Sequence, residues 1–184
     1  MPTKTILTTR RLRLRTWRRS DWREYATCCN TDEVMLYLGG VMTERQIRQE
    51  VEWHVRHQRR FGFSFWVIER KSDGALLGFC GLIRVGETSS PIRGQLEIGW
   101  RIRADMWRRG YALEAASAVL TWKASRLAGQ PVYARINVQN EASAVVAQKV
   151  GLRRIDGGEH THPLDGMKLE LFGTTLGRSR RKLC

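Results

Sequence analysis

The chain has 184 residues, of which 42% are hydrophobic, enough to bury the core of one ordinary domain. No apolar run approaches the roughly 20 residues of a membrane-spanning helix, and the first residues lack the apolar centre of a signal peptide. We therefore expect a soluble protein of the cytoplasm. With 32 lysines and arginines against 18 aspartates and glutamates, its net charge of +14 favours an acidic partner. Charge alone leaves open whether that partner is a phosphorylated ligand, a nucleic acid or a membrane surface.

The four cysteines indicate neither a metal centre nor a disulfide framework. They stand at Cys28, Cys29, Cys80 and Cys184, with no Cys-x-x-Cys pair and no cysteine–histidine cluster of metal-ligand spacing. We expect reduced thiols and no bound metal.

The first part of the chain predicts a strand followed by helices. Arginine alternates with leucine over residues 11–15, which is the two-residue period of a strand. Ser20 is placed to cap a short helix over residues 21–30. Residues 43–46, Thr-Glu-Arg-Gln, fit a capping box for a helix that continues to about Arg60.

The rest of the chain predicts a mixed sheet. The expected elements are a hairpin turning at 72–74, a strand over 94–103, a helix over 113–127, a strand over 132–138, a helix capped by Asn140, and a closing antiparallel pair over 152–160 and 167–173. The strand–helix–strand–helix run requires parallel strands, whereas the hairpin and the closing pair require antiparallel ones. We expect an α/β fold with helices on both faces of the sheet.

The segment MWRRGYA, residues 106–112, joins a predicted strand to a predicted helix. Backbone N–H groups in the first turn of a helix lack intrahelical partners, and the helix dipole favours anions there. Gly110 lets the backbone approach a ligand closely, and Arg108 and Arg109 add positive charge. The pattern fits a pyrophosphate cradle, and it equally fits the exposed start of an ordinary helix.

The sequence around this segment, EIGWRIRADMWRRGYALEA, resembles the central motif of the GNAT superfamily of N-acetyltransferases. In that family a strand and a short turn lead into a Q/R-x-x-G-x-G/A loop that binds the pyrophosphate of acetyl-CoA. The most similar group is the ribosomal-protein-alanine acetyltransferase type, RimJ and RimL. Further stretches resemble that group, namely residues 8–22, 32–40, 75–82 and 137–152. Arg108 departs from the group, which usually has glycine at this position, and the loop is therefore more cationic.

The resemblance implies a GNAT fold, with a central mixed twisted sheet of about seven strands. One acetyltransferase domain is expected over residues 1–175, followed by a disordered basic tail over 176–184. The implied reaction moves the acetyl group of acetyl-CoA directly to a primary amine of a protein N-terminus, ribosomal or other, or of a small molecule. The alternatives are a basic nucleic-acid- or ribosome-binding protein, or a non-catalytic coenzyme A sensor. The arginines are spread along the chain without a recognised nucleic-acid motif, which disfavours nucleic acid. A homodimer is common in the superfamily.

The resemblance also implies which residues bind the cofactor. A bulged strand would hold pantetheine through its backbone, and the loop and the following helix would hold the phosphates. Asn140 would bond the pantetheine or only cap its helix, and Lys149 would approach the adenosine phosphate or only end its helix favourably. The full cofactor set is Trp100, Arg101, Ile102, Arg108, Arg109, Gly110, Tyr111, Ala112, Asn140 and Lys149.

Three side chains are candidates for the chemistry that the resemblance implies. Ser143 would give a proton to the departing thiolate, or it is a plain first-turn serine. Glu97 would accept the proton of the amine directly or through water, or it forms a salt bridge with one of the many arginines. His162 competes with it as the base, because histidine titrates near neutral pH, or it is a loop residue without a task.

Overall fold

The computed structural model describes residues 3–162 and 166–174. Within them the order of elements is β1 (Thr5–Thr8), β2 (Leu12–Arg15), α1 (Asp21–Cys29), α2 (Asp32–Met35), α3 (Glu44–Phe61), β3 (Phe65–Arg70), β4 (Leu76–Arg84), β5 (Leu96–Ile102), α4 (Tyr111–Arg126), β6 (Val132–Asn137), α5 (Glu141–Lys149), β7 (Arg153–Arg154), β8 (His160–Thr161) and β9 (Lys168–Gly173). The predicted tail over 176–184 lies outside the described residues. No helix in the described ranges is both long and apolar enough to cross a membrane.

All of these strands form one mixed sheet. Its order is β1-β2-β3-β4-β5-β6-β9-β7, with β8 also paired to β9. Only β5 and β6 run parallel, and the other pairings are antiparallel. The described sheet has nine strands instead of about seven, because β1 was not predicted and the penultimate segment contributes two pieces of two residues each.

Helices cover both faces of the sheet, as predicted. Successive residues of a strand point to opposite faces. On β3, Trp66 and Ile68 therefore pack into one hydrophobic cluster, whereas Val67 packs into another. The first cluster contains residues of α4 and α5, namely Tyr111, Ala115, Ala116, Val119 and Ala147. The second contains residues of α1 and α3, namely Tyr25, Cys29, Ile47 and Val51.

The helix starts follow from residues close in sequence. The Thr43 hydroxyl accepts the N–H of Gln46, and the Gln46 side chain accepts the N–H of Thr43, so the predicted capping box is confirmed. The predicted Asn140 cap is confirmed as well, because its side chain accepts the Ser143 N–H. Ser20 precedes α1 but makes no capping bond with its side chain.

The neighbours of β5 differ on its two sides. Its pairing with β4 is continuous from Leu96 to Ile102, without a register shift, so the bulge that the resemblance implied is wrong for this pairing. The parallel pairing with β6 covers only two positions, Leu96 with Val132 and Glu97 with Tyr133. Beyond Glu97 the two strands separate and leave an opening in the sheet.

Candidate active site

The backbone of β5 lines the opening between β5 and β6. Two backbone bonds frame the β4–β5 pairing. The Val85 N–H donates to Gln95, just before β5, and the Arg103 N–H, just after β5, donates to Leu77 of β4, so odd-numbered positions face β4. Backbone groups alternate in direction along an antiparallel strand, so those of the even-numbered Trp100 point toward β6. Because the pairing of β5 with β6 ends at Glu97, the backbone groups of Trp100 face the opening.

Two helices begin at the same edge of the sheet as this opening. The helix α4 follows β5 and starts at Tyr111, and α5 follows β6 and starts at Glu141. Since β5 and β6 are parallel, their carboxyl ends lie side by side. The opening is therefore flanked by two helix N-termini, which favours an anionic ligand outside the ends of the strands.

The predicted cradle precedes α4 and is solvent-exposed. The Trp107 indole donates a hydrogen bond to the Ile102 carbonyl at 2.6 Å, which ties the loop to the end of β5. Gly110 has φ 75°, in the left-handed region that glycine adopts readily. Arg108 also lies in this region, with φ 58°, and no other described non-glycine residue has a positive φ. An arginine occupies this conformation at a cost of about 1–2 kcal/mol.

Arg11 holds the loop in place, a role that the sequence reasoning missed. Its Nη1 donates to the Arg109 carbonyl at 2.9 Å, and its Nε lies 2.6 Å from a Glu114 carboxylate oxygen. The guanidinium also stacks 4.4 Å from the centre of the Tyr111 ring. The hydroxyl of Thr9 donates to the same carboxylate at 2.5 Å. The turn between β1 and β2 is thus linked to the start of α4.

Ser143 lies in the first turn of α5, beside the opening. The Asn140 side-chain oxygen accepts the Ser143 N–H at 3.0 Å, which fixes the orientation of this turn. The Ser143 side chain is half-buried, and its hydroxyl has no hydrogen-bond partner in residues 3–162 and 166–174. This hydroxyl is therefore free to bond to a ligand.

A chain of charged groups lies where β5 and β6 begin to separate. Two nitrogens of Arg135 bind one carboxylate oxygen of Glu97, at 2.9 and 3.2 Å. A third nitrogen binds Glu87 at 2.8 Å, and the His162 Nε2 lies 3.9 Å from the other oxygen of Glu87. The structure therefore brings the two candidate bases, Glu97 and His162, to one cluster through Arg135 and Glu87, neither of which was singled out in the sequence.

The environments of the two carboxylates in this cluster differ. Burial raises the pKa of Glu97, although the Arg135 charge opposes this effect. The Arg135 hydrogen bond lowers the pKa of the more accessible Glu87. Glu97 is therefore the carboxylate that is easier to protonate, which suits a group that has to accept a proton during a reaction.

Three of the expected cofactor residues lie apart from the lining of the opening. Tyr111 is 8% exposed and packs into the core under α4, and the half-buried Ala112 packs against the same cluster. Lys149 is exposed at the last residue of α5, about 9 Å along the helix axis from Ser143 at 1.5 Å per residue. Its position next to the helix C-terminus is favourable for a cation.

Comparisons with known proteins agree with this geometry. A family model described as an acetyltransferase (GNAT) domain matches residues 11–153, and the chain therefore belongs to the GNAT acetyltransferase family. The uncharacterized protein YkkB of Bacillus subtilis (strain 168) is 34% identical over 153 residues, which cover 83% of this chain and 87% of that protein.

Solved structures share the fold. A putative GNAT-family acetyltransferase from Bordetella pertussis superposes with a TM-score of 0.79 at 20% identity, covering 93% of this chain and 99% of that one. RimL, a ribosomal L7/L12 alpha-N-protein acetyltransferase in complex with coenzyme A, gives a TM-score of 0.74 at 17% identity, covering 92% and 97%. At these identities the likeness supports the fold.

We expect Arg108→Gly to stabilise the protein by about 0.5–1 kcal/mol. Glycine removes the left-handed strain, and part of this gain is lost because glycine leaves the unfolded chain more flexible. Urea unfolding measures the change. The matched control is Arg109→Gly, at a neighbouring position without a positive φ, which should destabilise slightly. Equal effects of both substitutions would contradict the strain at Arg108.

Proposed function

We propose that this protein transfers the acetyl group of acetyl-CoA directly to a primary amine. The observation that carries the proposal is the opening between β5 and β6, which is lined by strand backbone and flanked by two helix N-termini. Membership of the acetyltransferase family supports it. We also propose that the protein is of the RimJ/RimL type, which the fold likeness to RimL supports.

Acetyl-CoA would bind across the opening, and the coenzyme A in the RimL complex supports this assignment. The exposed cradle formed by Arg108, Arg109 and Gly110 offers charge and helix N–H groups to the pyrophosphate. The backbone of Trp100 and the N–H of Ile102 offer hydrogen-bonding groups to the pantetheine arm, whereas the Arg101 backbone, which the resemblance also implied, faces β4. Further contacts are proposed for Tyr111 and Ala112 beside the cradle, for the Asn140 amide nitrogen, and for Lys149 toward the adenosine phosphate.

The proposed reaction is a single displacement at the thioester carbon. The amine nitrogen forms a bond to this carbon, the carbon–sulfur bond breaks, and the sulfur takes the bonding electrons. A backbone N–H that faces the opening, such as that of Trp100, would stabilise the negative charge developing on the carbonyl oxygen. The Ser143 hydroxyl, which has no partner in the described residues, would deliver a proton to the departing sulfur.

The amine must lose a proton, and two groups compete for it. Glu97 is buried at the start of the opening, and its raised pKa favours proton uptake, but Arg135 already occupies one of its carboxylate oxygens. His162 lies at the other end of the same charged chain, beside Glu87. We propose that one of the two is the base, acting directly or through water.

The test of this function is an acetyl-transfer screen with acetyl-CoA and acceptors of different classes. N-terminal peptides, polyamines, amino acids and aminoglycosides are the probes, and release of the coenzyme A thiol is the readout. We expect turnover with at least one class. Binding of acetyl-CoA in calorimetry without any turnover would favour a coenzyme A sensor, and absence of binding would reject both interpretations.

We expect Gly110→Asp to weaken acetyl-CoA binding by at least tenfold. The substitution places a carboxylate and a strained left-handed residue where the pyrophosphate is proposed to lie. Calorimetric titration measures the affinity. Gly129→Asp is the matched control, because Gly129 has φ 74° and open space around it but follows α4 at its opposite end. Unchanged affinity of Gly110→Asp would remove the cradle from the proposal.

We expect Ser143→Ala to lower kcat by about 100-fold or more, the lower end of the range of general acid catalysis, and to leave the Kd of acetyl-CoA within about twofold. His162→Ala should act in the same way if the histidine is the base. Steady-state kinetics and calorimetry provide the two values. Ser117→Ala, at an exposed position in the middle of α4, is the control. A wild-type kcat in either variant would return that residue to a structural role.

A further inference from the structure

A groove with a basic rim lies between the start of α1 and the middle of α3. Its volume of about 470 Å³ is within the range of about 300–1,000 Å³ that is usual for ligand clefts. All four arginines of its lining are exposed, so a ligand can reach the groove from solvent. The lining residues are Arg19, Trp22, Arg48, Val51, Glu52, Val55, Arg56 and Arg59.

The groove is separate from the proposed acetyl-CoA site. Helices α1 and α3 contribute to the hydrophobic cluster on one face of the sheet, and Trp22 and Val55 pack against that cluster. The proposed cradle precedes α4, which belongs to the cluster on the opposite face. The positive charge of the groove is therefore not explained by binding of the cofactor.

Two of the four arginines in the groove have no acidic partner. Arg48 binds Glu44, and Arg56 lies 3.6 Å from Glu52, in each case four residues away on α3. The side chains of Arg19 and Arg59 form neither an ion pair nor a hydrogen bond within the part of the chain that the structure describes. Two unpaired guanidinium groups beside one cleft attract an anionic ligand.

Trp22 holds the guanidinium of Arg48 in place. The Arg48 guanidinium carbon lies 4.0 Å from the centre of the Trp22 ring. Stacking uses the flat face of a guanidinium and leaves the N–H groups at its edge available to acceptors. In the described residues, the Glu44 carboxylate is the acceptor for one Arg48 nitrogen, and the other nitrogens have none. Arg48 is therefore oriented to bind a further carboxylate.

The floor of the groove is apolar. Val51 is buried, and Val55 and Trp22 are half-buried. An apolar side chain of a ligand gains free energy when it leaves water and covers this surface, whereas a purely polar anion leaves the surface uncovered. The groove therefore suits a ligand that carries apolar as well as acidic groups.

The same features disfavour a nucleic acid. Sequence-independent binding of single strands uses aromatic rings on which bases stack. The Trp22 ring is already in contact with Arg48 and with Arg23, whose guanidinium carbon lies 4.8 Å from the ring centre. The sugar-phosphate backbone of a duplex has no apolar side chain for the valine floor.

We propose that this groove binds an acidic peptide segment of a partner protein, in which two carboxylate side chains flank an apolar one. Arg48 and Arg59 are separated by about 16 Å along the axis of α3, and an extended peptide of about five residues spans that length. Side chains two residues apart on an extended peptide point to the same side. The pattern acidic-x-apolar-x-acidic therefore follows the order of Arg48, the two valines and Arg59 along α3.

Fluorescence anisotropy of labelled peptides tests this pattern. The probes are Glu-Ser-Leu-Ser-Glu, Gln-Ser-Leu-Ser-Gln and Glu-Ser-Ser-Ser-Glu, each amidated at its C-terminus and labelled at its N-terminus. We expect the glutamine peptide to bind at least about tenfold more weakly than the first, because it loses the charge-assisted bonds to arginine. The serine peptide should bind about fivefold more weakly, because it leaves the floor uncovered. Equal affinities of the glutamate and glutamine peptides would overturn the proposal.

Arg59→Gln tests the position of the site. We expect it to weaken binding of Glu-Ser-Leu-Ser-Glu about fivefold, and Arg19→Gln to act in the same way, because each removes an unpaired guanidinium. Arg126→Gln is the matched control, since Arg126 is also exposed in the last turn of its helix but belongs to α4. We expect its effect to stay within about twofold, because charges further apart than about 10 Å are largely screened at 0.1 M salt. Equal losses in Arg59→Gln and Arg126→Gln would indicate attraction by the net charge alone and overturn the proposal.

A short labelled polyuridine RNA, titrated under the same conditions, tests the alternative partner. We expect Arg59→Gln and Arg126→Gln to bind it equally. RNA that binds more tightly than the acidic peptide and is lost selectively in Arg59→Gln would assign the groove to nucleic acid and reject the peptide.

The titrations contain no acetyl-CoA, which separates this proposal from the proposed function. Selective binding of the acidic peptide by a protein that acetylates no amine would support the groove and reject the function. Absence of peptide binding in an active acetyltransferase would overturn the groove alone.

Discussion

The early separation of β5 from β6 is the constraint on which the rest of the site depends. A parallel pair normally uses the backbone groups on its facing edges, but here the pairing ends after Leu96–Val132 and Glu97–Tyr133. The remaining β5 backbone is held from its other side by a regular ladder with β4. It therefore keeps an extended conformation while its inner edge stays available to a ligand. The same geometry places the starts of α4 and α5 on either side of the opening.

The positive charge of the chain has a structural role at the start of α4. Arg11, in the turn between β1 and β2, binds Glu114 of this helix and the Arg109 carbonyl, so the loop is held by a residue distant in sequence. Arg108 keeps a left-handed conformation that glycine would adopt at less cost. We interpret Arg108 as a residue that slightly lowers the stability of the fold and places an additional cation beside the proposed phosphate position.

The two faces of the sheet serve different purposes. The face under α4 and α5 is an apolar core, to which β5 contributes Ile98 and Ile102. The opposite face of the same strand carries Glu97 and Arg101, each buried in a polar cluster with partners from other elements. Buried polar groups are costly unless they are paired, and here Arg135 binds Glu97 while Arg101 contacts Tyr25 and Glu50.

The sequence alone determined the features that depend on near neighbours in the chain. The capping box at Thr43, the cap at Asn140, the hairpin and the cationic glycine loop each arise within a few residues, where local geometry and turn chemistry decide. The order of the predicted elements indicated the mixed sheet, and the family motif added the position of the proposed cradle. Tertiary structure decided the contacts between distant residues. Arg135 meets Glu97 across 38 positions and Arg11 meets Glu114 across 103, and no local pattern specifies such pairs. The point where β5 and β6 separate and the face on which Arg101 is buried also belong to tertiary structure, because strand divergence and packing against α1 and α3 are settled only when the sheet is assembled.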